Sequence, residues 1–529
     1  MNVEPEVVQA PDGRDSSVSD QPPAISGSAD DLAQMTAGGL PWMLMSRVGS
    51  EIVLMLSMVV LARIVSPREF GAYAVALVVA VLAVGIPTAG IGMSLVQRDS
   101  VSREHLQTGM ALALIAAVVV GGATWLVSYA VAPLVGRDAA GLVRLACPLF
   151  FLTGLGTVSA AMLQRQLDFR RLALMEISGN LAGAATSVGL AAFAGLGGTA
   201  LLLGTICSTA VSTAIAICAA PPPLPRLDRS AARDIAGFGL PASLATIAWT
   251  GFANGDYAVI AARLGPAAAG LYWRSYTLAV GYQAKLSVIM QTVAFPVLSR
   301  SATEADLLAL RGRMVRLLTV VLFPLLAGLA ITAPIVVPAV YGPAWTKAVI
   351  ATQVLCAGGA ATLVIDALGA VLMATGRGRA LLGYGVAHFI VYVGAVVVVS
   401  PLGLVAVAIA GAIIHTAFVA VAYIWALGWQ GGKALVALWR DVAPATAACA
   451  VMAAAAVPVD RLMVSNHIGG LGTFAAVFVI CSIAYLATLR IGFQPAFADL
   501  ESMVRRLLPG VRSRRGGRAL RLAEQRSAT

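Results

Sequence analysis

Charge is scarce in this chain. Of its 529 residues, 12% are Asp, Glu, Lys or Arg and 59% are apolar; a soluble domain carries about 25% charged residues. A soluble globular protein is thereby excluded. Lysine is scarcer still: Lys285, Lys347 and Lys433 are three of the 36 basic residues, and arginine supplies the rest. Arginine alongside abundant Ala, Gly and Val fits a GC-rich genome and carries no mechanism. The six cysteines (147, 207, 218, 356, 449 and 481) lie inside apolar runs, and none forms Cys-x-x-Cys. Neither a disulfide framework nor a metal site is visible in that spacing. There is no Gly-rich phosphate loop ending in Lys-Ser/Thr and no catalytic constellation. No loop between the apolar runs exceeds about twenty residues, where a membrane glycosyltransferase, polymerase or ligase needs a substantial extramembrane loop. With ATP hydrolysis and catalysis set aside, transport is what remains.

What the chain has is uninterrupted apolar runs of about 20 residues or more, each long enough to cross a bilayer as a helix. Fourteen can be counted: 40–64, 70–96, 107–135, 143–164, 172–194, 197–219, 235–262, 268–297, 314–340, 346–374, 380–399, 402–428, 442–459 and 469–490. The fold class is an all-α polytopic membrane protein. Residues 1–38 hold seven acids against one arginine and are expected to be disordered, with no secretory signal. The run Pro221-Pro222-Pro223-Leu224-Pro225 opens a polar linker, 221–234, between spans 1–6 (39–220) and spans 7–12 (235–430). Gly431 and Gly432 set off the last two spans (431–490) from a basic tail, 491–529. In that tail Phe497, Leu500, Met503, Val504 and Leu507 share one helical face, so 495–508 is expected to form an amphipathic interfacial helix.

A motif recurs. Residues 62–73 read Ala-Arg-Ile-Val-Ser-Pro-Arg-Glu-Phe-Gly-Ala-Tyr, and 262–272 read Ala-Arg-Leu-Gly-Pro-Ala-Ala-Ala-Gly-Leu-Tyr. Arg63, Pro67, Gly71 and Tyr73 align with Arg263, Pro266, Gly270 and Tyr272 after one deletion, each copy between two long apolar runs. Met162-Leu163-Gln164-Arg165 likewise echoes the segment ending in Ala374-Thr375-Gly376-Arg377. Six spans return the chain to its starting side, so two six-helix lobes enter in the same orientation. Their symmetry axis runs along the membrane normal, with a cavity between them. Loops after even-numbered spans hold sixteen Lys or Arg and loops after odd-numbered spans seven. Both termini and the linker are therefore predicted to be cytoplasmic.

Charges within the spans each need a reason, because a charge at mid-bilayer costs about 2.5–3.5 kcal/mol on insertion scales. They are Arg47, Glu51, Glu176, Asp256, Arg274, Lys285, Asp366, His388 and His415. Arg47 and Glu51, four apart, can pair on one face. Arg274 and Lys285, eleven apart, fall on one face of an ideal helix and form a cationic stripe, with Asp256 near Asn254 placed to neutralise part of it. Glu176, near a helix start, reads as a cap or surface charge. His388 and His415 read as interhelical hydrogen-bonders. None of the groups obeys the repeat: Glu51 maps near Gly251, Lys285 near Gly85 and Asp256 near Leu56. A duplicated scaffold with unduplicated charges points to charges that serve a substrate. Trp249, Tyr257, Tyr272, Trp273, Tyr276 and Tyr282 cluster on spans 7 and 8, as an interfacial belt or as platforms for sugar rings.

Residues 61–73 resemble the end of the first hairpin in bacterial polysaccharide repeat-unit flippases of the multidrug/oligosaccharidyl-lipid/polysaccharide exporter superfamily. Met162–Arg171, Asp256-Tyr257 with Arg263-Leu264-Gly265, and Ala374–Arg377 are similar to the same family, so the resemblance covers about residues 36–490. It implies an alternating-access carrier in the bacterial cytoplasmic membrane. The substrate would be an undecaprenyl-pyrophosphate-linked oligosaccharide moved from the inner to the outer leaflet for exopolysaccharide or lipopolysaccharide synthesis. Arg47, Arg274 and Lys285 would face the pyrophosphate, and Asn254, Gln283 and Gln291 would hydrogen-bond the sugars. Glu51, Asp256 and Asp366 would carry proton or sodium coupling. No metal or cofactor is called for. The expected partners are the lipid-linked oligosaccharide, membrane lipids, a polysaccharide polymerase and a chain-length regulator, with no nucleic acid. Three rivals stand. A drug/cation antiporter of the same superfamily is disfavoured by the excess of lumenal cations. A lipid II flippase is disfavoured by the lack of an arginine-rich first helix, and a membrane-embedded polymerase or ligase by the short loops.

Overall fold

A computed structural model describes residues 29–98, 100–281, 285, 304–374, 377–427, 431–465 and 470–507. The acidic residues 1–28, the tail beyond 507, Tyr282, Gln283 and Gln291 lie outside them. Among the described residues there is helix and no strand. Apolar runs dictate that result, because only a helix satisfies every backbone N–H and C=O of a lone segment in lipid.

The helices are α1 (Ala29–Ile64), α2 (Pro67–Gln97), α3 (Arg103–Val135), α4 (Arg137–Arg165), α5 (Phe169–Ala194), α6 (Gly197–Ala219) and α7 (Arg229–Leu264). They continue with α8 (Pro266–Tyr276, extended by a π turn, Thr277–Gly281), α9 (Glu304–Tyr341), α10 (Val349–Ala374), α11 (Gly378–Val399), α12 (Leu404–Leu427), α13 (Gly431–Ser465), α14 (Gly470–Gly492) and α15 (Gln494–Leu507). Among the described residues twelve are long and apolar enough to span a membrane, and thirteen if the bent α7 counts as one span. The eighth expected span, 268–297, lies partly outside the described residues. Two boundaries move. Helix α1 starts at Ala29, so 29–38 is helical rather than disordered. Helix α7 starts at Arg229 and shortens the linker, because the Asp228 carboxylate accepts from the Ser230 and Ala231 N–H groups at 2.9 and 2.8 Å.

The two motif copies meet. Helix α2 begins with a capping box: the Ser66 Oγ accepts from Glu69 N, and Glu69 Oε2 accepts from Ser66 N. Both α2 and α8 place proline in their first turn, and they cross four residues in. A Cβ on Gly71 would stand 1.6 Å from the Pro266 carbonyl oxygen, and one on Gly270 would stand 1.9 Å from that of Pro67. The contact is reciprocal, backbone on backbone, as a two-fold axis requires. Around it one apolar core draws on both lobes: Leu61, Phe70 and Tyr73 from the first, Leu271, Tyr341 and Trp345 from the second. The Trp345 indole donates to Ala62 O at 2.8 Å, and Arg63 donates to Val340 O at 3.1 Å and to Ala339 O, capping α9. We call this end of the molecule the motif face and the opposite end the linker face.

Toward the linker face, α2 and α7 stay in contact. Ser243 Oγ donates to Ile86 O at 3.0 Å, and Arg98 and His105 converge on Asp234 at 3.0 and 3.4 Å. Helices α13 and α14 stand outside the repeat and pack on α9 and α12 of the second lobe. Helix α15 covers part of that junction. Its Phe497 and Leu500 rest against the core of α9, α13 and α14, so this part of the expected apolar face meets protein; the side chains of Met503, Val504 and Leu507 lie outside the description.

Filling the crossing should break it. Gly71→Leu pushes a side chain into a backbone wall, and overpacking costs about 1–3 kcal/mol where neighbours can yield. We expect a clear fall in the melting temperature of the purified protein in detergent, and none for Gly49→Leu, where nothing lies within 4 Å of a new Cβ. Equal melting of the two variants would remove the crossing as a lobe contact.

Candidate functional site

Besides the Arg98–Asp234 contact at the linker face, an ion pair joins the lobes nearer mid-membrane. Lys285 Nζ donates to both Glu51 oxygens, at 2.6 and 2.7 Å. The two side chains are 53% and 39% exposed. Glu51 lies thirteen residues before the end of α1 at Ile64, about 20 Å from the motif face at 1.5 Å per residue. The pair therefore sits in the linker-face half, open to its surroundings, while the motif face is closed.

Arg274 is placed differently. It is 2% exposed, and its guanidinium carbon stands 4.5 Å from the Tyr341 ring centre, 5.6 Å from Trp273 and 5.9 Å from Phe70. Rings that present their negative faces to a desolvated cation stabilise it. Its Nε has no partner. Arg274 thus lies under the motif-face seal, and the expected single stripe with Lys285 does not form. A π turn, Thr277–Gly281, follows Arg274. Such a turn takes one residue more than an α turn, so the ideal 3.6-residue spacing behind the expected stripe is not kept after Arg274.

The other pairings also differ from expectation. Arg47 pairs with Glu176 of α5 at 3.6 Å, and Ser46 Oγ donates to the same carboxylate at 3.3 Å. Arg47 therefore does not pair with Glu51, and Glu176 is neither a cap nor an unengaged surface charge. Helix α1 packs along α5, and that neighbour outcompetes the local i, i+4 geometry. Asn254 lines an apolar groove of about 210 Å³ bounded by Val75, Val79, Thr124, Val131 and Tyr257, which none of the three cations lines. Its amide donates to Thr250 O at 2.8 Å.

Asp256 does not neutralise the cations of α8. It is 3% exposed within the second lobe. Its carboxylate accepts from Tyr392 Oη at 2.8 Å and from the Tyr257 N–H at 2.9 Å, and Tyr272 Oη lies 2.9 Å from Tyr392 Oη. Tyr276 and the half-buried Asp366 border this network. Against the Tyr392 ring lie His388, stacked at 6.0 Å, and His415, edge-on at 5.0 Å. His415 Nδ1 meets Gly411 O at 2.6 Å, its own helix rather than a neighbour, and His388 Nε2 is buried without a partner. Both therefore depart from the expected interhelical hydrogen bonds. Tyr257 and Tyr272 are interior groups, not an interfacial belt; Trp249 alone of the described cluster is widely exposed.

Sequence reasoning missed Tyr392, Tyr341 and Phe70. A signal existed for the first: the repeat aligns Tyr272 with Tyr73, and each hydroxyl bonds inside its own lobe, Tyr73 to Thr205 Oγ1 at 3.0 Å and Tyr272 to Tyr392. Among the described residues no group of three His, Cys, Asp or Glu could hold a metal.

Known proteins share this architecture. The family model described as polysaccharide biosynthesis protein matches residues 60–350. The lipopolysaccharide biosynthesis protein WzxC of Escherichia coli K12 is 29% identical over 389 residues, 69% of this chain and 75% of that protein. The lipid II flippase MurJ, in an inward closed conformation, superposes with a TM-score of 0.67 at 13% identity, covering 86% of this chain and 99% of MurJ. An inward-facing multidrug resistance MATE transporter superposes at 0.54 with 16% identity, covering 73% and 96%. At these identities the two structures share the fold.

The two polar networks should answer differently to substitution. An exposed pair contributes less than about 1 kcal/mol, whereas an unsatisfied buried group costs about 1–3 kcal/mol. In thermal unfolding, Tyr392→Phe should lower stability well beyond Glu51→Gln. The reverse order would make Glu51–Lys285 a scaffold bond.

Proposed function

The chain belongs to the polysaccharide biosynthesis protein family, and from that premise we propose that it is a flippase. Its cargo is an undecaprenyl-pyrophosphate-linked oligosaccharide repeat unit, moved from the inner to the outer leaflet of the bacterial cytoplasmic membrane by alternating access. The linker face, which carries the excess of arginine, is cytoplasmic, as are both termini. The observation that carries the reading is the half-exposed Lys285–Glu51 pair between lobes that are sealed at the other face.

A pyrophosphate brings several negative charges into hydrocarbon, where an uncompensated charge is costly. Lys285 is positioned to receive it from the linker face. Glu51 keeps the ammonium neutralised while the cavity is empty, and the cargo takes its place. Loss of the Glu51 contact frees α1 from the second lobe, so loading and lobe movement are linked. When α2 and α8 separate at Gly71 and Gly270, Arg274 leaves its aromatic cage and offers a second cation nearer the exit. Arg47, neutralised by Glu176 at rest, is a further cation on the loading side for the cargo to engage. Asn254 and Gln283 bond sugar hydroxyls. Glu51, Asp256 and Asp366 carry coupling to a proton or sodium ion, Asp256 through its contact with Tyr392. A polymerase and a chain-length regulator receive the product.

The test is Lys285→Ala in the native host. Losing one charge-assisted hydrogen bond, about 1.5–3 kcal/mol, lowers binding about tenfold or more. Polymer export should stop, with lipid-linked repeat units left on the inner face, while Lys285→Arg retains part of it. Normal export by a well-expressed Lys285→Ala protein would remove Lys285 from the site.

A further inference from the structure

Three arginines stand within six residues at the start of α9: Arg311, Arg313 and Arg316. Two are matched. Arg316 reaches Asp499 of α15 at 3.1 Å and Asp441 of α13 at 3.6 Å, and Arg313 reaches Asp499 at 3.8 Å. Arg311 is the surplus charge. It is 2% exposed, it makes no ion pair among the described residues, and its Nε and Nη1 have no hydrogen-bond partner. Its guanidinium carbon stands 5.2 Å from the ring centre of Tyr423, on α12. The Tyr423 hydroxyl is also buried without a partner. Asp441, the carboxylate with electrostatic reach to Arg311, is engaged by Arg316.

A buried cation with open N–H groups is unfavourable by several kcal/mol unless something completes it. Here the open donors are two guanidinium nitrogens and one hydroxyl on adjoining side chains. That set fits an acceptor-only group with several oxygens and negative charge, which is the description of a phosphate. The surroundings identify its source. On the same two helices that flank the arginine, Trp425 of α12 and Trp439 of α13 are 56% and 65% exposed, and Ile424 and Val436 are exposed beside them. Exposed tryptophans next to aliphatic side chains mark the headgroup level of a bilayer. Basic pockets between spanning helices at that level bind anionic lipid headgroups.

We propose that Arg311 and Tyr423, at the junction of α9, α12 and α13 on the linker face, form a binding site for the phosphate of an anionic phospholipid. The lipid completes the contact between the second lobe and the two helices outside the repeat. The site is separate from the cargo path and does not depend on it.

The test uses the full-length protein purified in neutral detergent, titrated with dioleoyl phosphatidylglycerol or dioleoyl phosphatidylcholine and followed by thermal shift. Phosphatidylglycerol should raise the melting temperature and phosphatidylcholine should not. Arg311→Met should shift half-saturation about tenfold or more, as expected for a lost charge-assisted contact. The same variant in detergent alone should melt no lower than the parent, because removing an unpaired buried charge costs nothing there. Tyr423→Phe should weaken the lipid response with little change in the lipid-free melt, and it carries the test if Arg311→Met fails to express. An equal response to both lipids, an unchanged response in the variants, or the same shift from inorganic phosphate overturns the lipid assignment. So does an Arg311→Met protein destabilised equally with and without lipid, which would mark the arginine as purely structural.

Discussion

Two glycines decide how closely the lobes approach at the motif face. At Gly71 and Gly270 the helices α2 and α8 approach closely enough that a single methyl group on either would overlap a carbonyl oxygen. Everything else at the motif face depends on that closeness. The Trp345 indole can reach Ala62 and the Arg63 side chain can cap α9 only because no side chains hold the helices apart. The aromatic cage of Arg274 is assembled from both lobes for the same reason. The seal is apolar packing and hydrogen bonding with no covalent tie, so it can part as a unit.

Charge is distributed in two ways around that seal. Some ions belong to the scaffold: Arg316 with Asp441 and Asp499, Arg98 with Asp234, Arg47 with Glu176. Each ties helices whose packing is already extensive. The Glu51–Lys285 pair is of another kind. It joins α1 to the helix beyond the π turn of α8, and both side chains stay substantially exposed. Surface pairs of this sort contribute little to stability. Its value to the molecule therefore has to lie elsewhere than in holding the fold together. Asp256 stands at the opposite extreme, enclosed and hydrogen-bonded at both oxygens.

Much of this was legible in the chain itself. Long apolar runs located the helices, and Ser66, Pro67 and Glu69 announced the start of α2. The repeated Arg-x-Pro-x-Gly pattern disclosed two lobes of the same orientation. What sequence periodicity does not carry is which helix lies beside which. Arg47 and Glu51 are neighbours on an isolated helix, yet α5 supplies Glu176 to one and the second lobe supplies Lys285 to the other, and those partners win. Counting eleven residues from Arg274 to Lys285 assumes 3.6 per turn throughout, and one π turn defeats it. The Asp256–Tyr392 contact spans 136 residues and leaves no local trace beyond the repeat of Tyr73 in Tyr272.

Among the described residues, Lys285 supplies the one lysine in an ion pair; arginine or histidine supplies every other. A guanidinium is a flat fork that grips two oxygens in one plane, and exchanging its anion means realigning that plane. An ammonium is round, with three donors that swivel about a single bond. It can trade one oxyanion for another from almost any direction without the helix turning.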